Sequence, residues 1–216
     1  MGCCRYGGSM IELVRRRMMM GGSSKPYDAE VEWIASDGNT VVDTLIYPNQ
    51  SLGIVMDCIC PDNLDTGIWL FGARQANGVN QYALLNNPKI QQSQYRFGSL
   101  NILGPGHSGR FQLIKNENSS NLYVIQDGTV YTYTANSQTF SAPYTLWLFG
   151  IHLSNPQTFS GINKDFKVIS CQLRRGGNLI GNYIPVRKNG KGYLYDRVTA
   201  DFLPNVGELM LYGPDK

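Results

Sequence analysis

The chain has 216 residues, of which 42% are hydrophobic and 16% charged, and its formal net charge is +3. No apolar run reaches the length of a membrane span, so the sequence predicts no membrane protein. Residues 1–25 hold five basic residues and one acidic residue (5 − 1 = +4), so residues 26–216 sum to −1. Because a near-neutral domain is a poor candidate for binding nucleic acid, we expect no nucleic-acid partner.

The first element is a basic, methionine-rich segment, residues 1–20, which a Gly/Ser linker joins to Pro26. The stretch MIELVRRRMMM, residues 10–20, has the length of three helical turns, which is marginal for an isolated helix in water. We expect either a leader without fixed structure or an anchor that orders on a partner, with apolar side chains in a groove and arginines against acidic groups. The predicted docking residues are Ile11, Val14, Arg15, Arg16, Arg17 and Met18. Residues 1–26 are thus an anchor and linker, and residues 27–216 a separate domain.

A period of two begins at residue 27 and indicates strands. The stretch DAEVEWIAS, residues 28–36, predicts a strand with one face formed by Ala29, Val31, Trp33 and Ala35. The Asp-Gly at 37–38 predicts a hairpin into TVVDTLIY, residues 40–47. The next two stretches, SLGIVMDCIC (51–60) and TGIWLFGAR (66–74), are richer in apolar residues and predict central strands.

Two further turns are predicted later in the chain. Asp127-Gly128 and Gly176-Gly177 each lie between strand-forming stretches and predict two more hairpins. About a dozen strand segments follow one another at short spacing, without alternating helices. The sequence therefore predicts an all-β fold, a two-sheet antiparallel sandwich or jelly roll with a short N-terminal extension.

Three cysteines and two histidines are the candidate metal ligands in the strand-forming part of the sequence. Cys58 and Cys60 are two residues apart and share one face of a strand, and Cys171 is a third candidate. The spacing differs from the usual C-x₂-C of zinc sites, and His107 and His152 show no ligand spacing. We expect reduced, buried cysteines that act as small hydrophobic residues, and we predict no metal and no cofactor.

One pair of acidic residues has the spacing of catalytic carboxylates. Retaining glycoside hydrolysis needs two carboxyl groups about 5–5.5 Å apart, and residues two apart on a strand share a face. Glu30 and Glu32 meet that spacing, but they lie opposite the presumed core face of Val31 and Trp33, which indicates a solvated outer face. The sequence contains no nucleophile elbow, zincin or phosphate-loop motif. We therefore expect no enzymatic activity.

Two polar loops are candidates for binding a glycan. They are ARQANGVNQY, residues 73–82, and LGPGHSGRF, residues 103–111, which combine amides with aromatic and basic groups. The predicted glycan-binding residues are Asn77, Asn80, Tyr82, His107 and Arg110. The alternative is that both are ordinary polar loops. Asp62 and Asp65 in PDNLDTG similarly leave open a calcium site or a plain turn.

The chain resembles a known family in four places. The first is residues 27–58, an aromatic-rich strand and a Gly-containing turn that lead to Asp43-Thr44. The others are LFGAR at 70–74, LWLFGIH at 146–152, and the closing residues 167–215, which contain the stretch IPVRKNGKGYLYDRVTADFLPN at 184–205 and Gly-Pro at 213–214. Together they resemble the concanavalin A-like (laminin-G-like) jelly-roll domains of bacteriophage and prophage structural proteins and of gut-bacterial surface proteins. The resemblance covers nearly all of residues 27–215.

The resemblance implies a curved two-sheet sandwich and, beyond the fold, a role. The expected role is a non-enzymatic structural or appendage protein of a virion, associated with capsid or tail. Its tail would dock onto other virion proteins, and its lectin-like domain would be exposed to host-surface glycans. The alternative is a carbohydrate-binding adhesion module on a bacterial surface. The sequence does not decide whether the chain forms homo-oligomers.

The closing stretch contains an acid, a base and aromatic residues close together. Asp196 and Arg197 are adjacent, so on a strand they point to opposite faces and form no catalytic pair. We expect Asp196 to accept hydrogen bonds from backbone donors at the following turn. We also expect ELMLYG, residues 208–213, to close the sheet beside the first strand.

Overall fold

The structure is a computed structural model that describes residues 25–62, 66–75, 77–153 and 165–216. In these residues the regular elements are strands, and there is no helix. In chain order the strands are β1 (Ala29–Glu30), β2 (Ile34–Ser36), β3 (Val41–Asp43), β4 (Gly53–Cys60), β5 (Ile68–Ala73), β6 (Gln81–Asn87), β7 (Gln92–Gly98), β8 (Leu100–Gly104), β9 (Gly109–Lys115), β10 (Leu122–Gln126), β11 (Thr129–Tyr133), β12 (Trp147–Leu148), β13 (Lys167–Arg175), β14 (Asn178–Lys188), β15 (Lys191–Asp196), β16 (Asp201–Phe202), β17 (Asn205–Val206) and β18 (Met210–Tyr212). The predicted docking residues Ile11 to Met18 lie outside the described residues.

The strands form two antiparallel sheets that pack face to face as a sandwich. The larger sheet has the order β11-β10-β9-β4-β13-β14-β15-β16, with β1 beside β14 and with β2 joining β13 to β18. The smaller sheet has the order β17-β3-β12-β5-β6-β7-β8. The predicted all-β, two-sheet antiparallel sandwich is confirmed, and β4 and β5 are central strands as predicted.

The facing sides of the two sheets supply one hydrophobic core. Met56 and Cys58 of β4 and Tyr82 and Leu84 of β6 belong to it and are almost completely buried. The residues between them on the same strands point outward, as the two-residue period of a strand requires. Each large apolar side chain buried in this way contributes about 1.5–3 kcal/mol. The core therefore fixes which side chains remain on the two outer faces.

Two of the three predicted hairpins are confirmed. Asp127 and Gly128, with φ of 50° and 76°, connect β10 to β11, and Gly176 and Gly177 connect β13 to β14. A third two-residue turn of this kind, Asn189-Gly190, connects β14 to β15. Positive φ at both central residues gives these turns the twist that hairpins need.

The hairpin predicted at Asp37-Gly38 is wrong. The chain does turn there, but β2 belongs to the larger sheet and β3 to the smaller, so the segment is a corner between sheets. The buried Ser36 hydroxyl stabilises this corner by donating to Thr40 O at 2.6 Å and accepting from the amides of Gly38 and Thr40. Both flanking strands are buried, and each continues in a different layer.

The first predicted strand is also divided. Residues 28–36 form β1 and β2 with a bend between them, so the alternation of Ala29, Val31, Trp33 and Ala35 does not persist. Val31 and Ile34 are buried in the core, whereas Trp33 is only half-buried. The indole thus lies on the outer side of the larger sheet and is available to a surface site.

The closing stretch folds as predicted. Asp196 Oδ1 accepts hydrogen bonds from the amides of Asn182 and Val198, both at 2.9 Å, and its Oδ2 accepts from the Thr199 hydroxyl at 3.1 Å. β18 pairs with β2, and the residues after it continue along the start of the domain, with Val31 opposite Asp215. The stretch is the closing edge of the sandwich, and Asp196 stabilises its turn.

Candidate functional site

A cleft of about 420 Å³ lies on the outer face of the larger sheet. Its apolar part comes from Trp33, Ile59 of β4 and Ile169 of β13, and its polar part from Glu32, Arg110 of β9 and the C-terminal Lys216. Ile59 and Ile169 point outward because their neighbours Cys58 and Val168 point into the core. An apolar surface with a few placed polar groups is typical of small-molecule sites.

Trp33 is held in the cleft by two specific contacts. The Lys167 ammonium lies 4.3 Å from the centre of the indole ring, a cation–π contact. Gly213 lies against the same ring, and a Cβ there would come within 2.6 Å of the indole Nε1. This close approach explains the glycine in the terminal Gly-Pro of the sequence signature: a larger residue would displace the indole.

Arg110 forms the opposite side of the cleft. Its Nε and one terminal nitrogen donate to the two carboxylate oxygens of Asp57, at 3.1 and 2.6 Å. This two-point contact fixes the plane of the guanidinium while leaving most of the side chain exposed. The cleft thus presents an oriented cation across from an aromatic ring.

The two glutamates near the cleft have different surroundings. Glu32 lines the cleft and is exposed, whereas Glu30 accepts hydrogen bonds from Lys25, Tyr27 and Arg197. Burial raises the pKa of Glu30. The hydrogen bonds from Lys25 and Tyr27 and the charge of Arg197 lower it by more, so the net pKa is below the ordinary value. Glu30 is therefore committed to an ion-pair network.

The five predicted glycan-binding residues do not form one site. Arg110 lies in the cleft, but Tyr82 and His107 are buried and present no ring face to solvent. The Tyr82 hydroxyl donates to Leu52 O at 3.1 Å, and the His107 ring is hydrogen-bonded to Gln126 and Tyr133. Tyr82 points inward with the alternation of β6, whereas His107 lies in the loop between β8 and β9, where its hydrogen bonds and its ring contacts with Phe111 and Tyr131 hold it inside.

The two predicted asparagines lie in the loop between β5 and β6, on the smaller sheet. The side chain of Asn77 accepts from the Val79 amide, and that of Asn80 donates to Gln75 Oε1 at 3.1 Å. These contacts shape the loop from within. Glycan binding by Asn77 and Asn80 stays a prediction.

Sequence reasoning missed most of the cleft, namely Glu32, Trp33, Ile59, Ile169 and Lys216. One signal was present in the sequence. In MDCIC, the isoleucine lies at the position opposite to the two cysteines, so burying the cysteines places an apolar residue outside. Trp33 could not be found in this way, because the bend at residues 31–33 breaks the alternation.

The three cysteines among the described residues lie in the core. Cys58, Cys60 and Cys171 are free and buried, and the Asn86 amide donates to Cys60 Sγ at 3.1 Å. Burial raises the pKa of Cys60 to about 12, which keeps the thiol protonated at neutral pH. In the parts of the chain that the structure describes, no group of three or more His, Cys, Asp or Glu residues is placed to hold a metal ion. Asp65, one of the two calcium candidates, lies outside those parts.

Comparison with known proteins supports the fold and no more. The chain is similar to the full extracellular region of zebrafish Gpr126/Adgrg6, with a TM-score of 0.50 and 11% sequence identity. The match covers 87% of this chain and 27% of that chain, so the present chain spans about a quarter of its length. No protein-family model and no curated protein matches the sequence. Among the described residues there is no helix of a length and hydrophobicity that would span a membrane.

Proposed function

We propose that this chain is a non-enzymatic structural or appendage protein of a bacteriophage particle. Its β-sandwich is exposed and binds host-surface glycans through the Trp33 cleft, and residues 1–26 dock it onto other virion proteins. The observation that carries the binding part is the combination, in one cleft, of an aromatic ring, two isoleucines and an oriented arginine. Saccharides have apolar C–H faces and many hydroxyls, and such a cleft offers a partner to each.

The surroundings of the acidic residues favour binding over hydrolysis. A glycosidase acid needs a raised pKa so that it holds a proton at neutral pH. Glu30 has a lowered pKa and contacts Lys25 and Arg197, which is the opposite arrangement. Glu32 lines the cleft without such a partner acid, and a single carboxylate suits a hydrogen bond to a sugar hydroxyl.

The test of glycan binding is a glycan array with the full chain, followed by titration calorimetry with any glycan found. Trp33→Ala should weaken binding by about tenfold or more, because it removes the ring. Arg110→Gln should weaken it by a similar amount. Arg174→Gln is the matched control, since Arg174 is exposed on β13 and does not line the cleft. A blank array, or equal affinity of Trp33→Ala and the wild type, would contradict glycan binding at the cleft.

The test of the docking role is deletion of residues 1–20. The shortened chain should fail to enter particles, while its melting temperature should match that of the full chain. A second variant, with Arg15, Arg16 and Arg17 all changed to Gln, should reduce incorporation if the arginines meet acidic groups on a neighbouring subunit. Normal incorporation of the deletion variant would rule out the anchor.

The second candidate function is a carbohydrate-binding adhesion module of a bacterial surface protein. The same cleft would bind the glycan in either function, so glycan binding does not distinguish a virion protein from a surface module. Particle association does separate them: a virion protein should co-purify with particles through a density gradient, whereas a surface module should remain with the cell envelope.

A further inference from the structure

Two arginines lie together on the outer face of the smaller sheet, on the opposite side of the sandwich from the cleft. Arg96 is in the middle of β7, and its neighbours Tyr95 and Phe97 are buried in the core, so its side chain points outward. Arg74 follows the end of β5 and is half-buried. β6 lies between β5 and β7, with Ala83 opposite both Gly72 and Arg96, so Arg74 and Arg96 extend from neighbouring positions on this face. Burial, together with the positive charge of Arg74, lowers the pKa of Arg96.

The protein holds Arg96 in place without neutralising it. The guanidinium lies 4.9 Å from the centre of the Trp69 ring and donates to Gln81 Oε1 at 3.3 Å and to Gln94 Oε1 at 3.1 Å. These partners are an aromatic ring and two neutral amides. The positive charge is therefore oriented but keeps its full attraction for an anion.

The described residues provide no acidic partner for this pair. None of their ion pairs includes Arg74 or Arg96, and the Nε of each is buried without an acceptor. The strands of the smaller sheet contain one acidic residue, Asp43, whose oxygens accept from the Leu45 amide and the Thr145 hydroxyl. Like charges brought together in a half-buried place are unfavourable, and a bound anion would remove that cost.

We infer that Arg74 and Arg96 form a binding site for the sulfate or carboxylate group of an acidic saccharide. Guanidinium groups bind such oxyanions through paired hydrogen bonds. Gln81 and Gln94 hold Arg96 through their carbonyl oxygens, and Gln94 is only partly buried, so its amide nitrogen can donate to a sugar hydroxyl. The site goes beyond the cleft function, because it lies on the other sheet and selects a charged group.

Charge argues against two segments of the chain itself as the occupant. Residues 1–25 carry five basic residues and one acidic residue, so they would be repelled. Residues 154–164 contain no Asp or Glu. An anion from outside the chain is therefore the expected occupant.

The experiment is titration calorimetry of the full chain with three probes at low salt: a sulfated dextran oligosaccharide, the unsulfated oligosaccharide of equal length, and oligoglutamate of similar length. We expect the sulfated sugar to bind at least about tenfold more tightly than the other two, and its affinity to fall as salt is raised. Equal binding of the unsulfated sugar would overturn the proposal. Tighter binding of oligoglutamate would also overturn it and would assign the site to an acidic peptide.

The variants locate the site. Arg74→Gln should lower the affinity for the sulfated sugar by about tenfold, whereas Arg174→Gln, the same charge change on the other sheet, should change it by less than about twofold. The side chain of Arg74 makes no hydrogen bond within the described residues, so this variant should fold even if Arg96→Gln does not. Trp33→Ala should retain binding of the sulfated sugar, which separates this site from the cleft. Equal affinities of Arg74→Gln and Arg174→Gln would refute the site.

Discussion

The closing stretch and the outer face of the smaller sheet differ in whether their charged side chains have partners of opposite charge. In the closing stretch, Asp196 accepts three hydrogen bonds, Arg197 contacts both oxygens of Glu30, and Arg187 pairs with Asp28 and Asp215. On the smaller sheet, Arg74 and Arg96 have neutral or cationic neighbours and no ion pair among the described residues. The first arrangement satisfies its charges within the chain, and the second does not.

The difference distinguishes a polar cluster that stabilises the fold from one that is a candidate binding site. The grouping of acid, base and tyrosine in YLYDRVTADF is typical of an active site, yet its contacts are those of a sheet edge and a turn. The arginines at 74 and 96 are far apart in sequence and form no motif, yet the described residues provide no acidic partner for either of them. A cluster of like charges is a candidate for binding a counter-ion when no opposite charge faces it among the described residues.

The largest effect is expected in the closing stretch, from Asp196→Ala. The change leaves two backbone amides and the Thr199 hydroxyl without their acceptor in a buried place, and it should cost about 2–4 kcal/mol of unfolding free energy. Chemical denaturation measures this value. Asp196→Asn is the control, and it should cost less because its amide oxygen can still accept. An unaltered midpoint for Asp196→Ala would show that the turn does not depend on the carboxylate.

Lys115 is a basic residue in the core whose partners are backbone carbonyls and not acidic side chains. It is almost fully buried, and its ammonium donates to Gln50 O at 2.7 Å and to Leu52 O. Burial lowers the pKa of Lys115 to about 7, while the negative charge of Glu117 acts in the opposite direction. Because the unfolded lysine keeps its ordinary pKa of 10.5, the unfolded chain binds more protons between these values.

The Lys115 contribution to stability should therefore rise with pH through this window and be lost as pH falls towards 7. It is at most about 1.4 kcal/mol per pH unit, and denaturation between about pH 7 and 8 measures it below most of the ionisation of unfolded cysteines and tyrosines. The buried thiols contribute a slope of the opposite sign at higher pH, because their pKa values are raised in the folded chain. Lys115→Met should therefore give a lower slope than the wild type, and the exposed Lys191→Met should match the wild type. Equal slopes for Lys115→Met and the wild type would assign the pH dependence to other groups.

The closing stretch could be predicted from sequence because its determinants are local. Asp196 lies next to the turn whose Val198 amide it accepts from. The same holds for two hairpins elsewhere in the chain, where Asp127-Gly128 and Gly176-Gly177 have the positive φ that the turns require. At Asp37-Gly38 the same pattern predicted a hairpin that does not form, because a turn residue reverses the chain but does not determine which sheet the next strand joins.

The sheet that contains β3 is determined by its pairing with β12 and β17, which are distant in sequence.

The two candidate sites needed the structure for the same reason. The cleft joins residues from the start, middle and end of the chain, and only the pairing of β18 with β2 brings Gly213 against Trp33. Arg74 and Arg96 meet because β5 and β7 both flank β6. Whether a charge has a partner is a property of the folded chain, and no spacing in the sequence reports it.

A smaller effect is expected from Arg197→Gln, which removes the ion pair with Glu30. Both side chains are partly exposed, so solvent screens the pair, and the loss should be about 0.2–1 kcal/mol. The loss should shrink further in 1 M salt, which can be checked by repeating the denaturation at two salt concentrations. A loss as large as that of Asp196→Ala would mean that Arg197 has a structural role beyond this surface pair.

The smallest effect on stability, and the sharpest test of the comparison, is expected from Arg74→Gln. Its guanidinium makes no hydrogen bond within the described residues and repels Arg96, so its removal should leave the unfolding free energy within about 0.5 kcal/mol of the wild type. At low salt the variant should be slightly the more stable of the two, because repulsion is then least screened. Sulfated dextran should raise the melting temperature of the wild type more than that of the variant, since a ligand stabilises more strongly the chain that binds it more tightly. A variant that is destabilised by several kcal/mol without ligand would show that Arg74 supports the fold, and the contrast between the two regions would then fail.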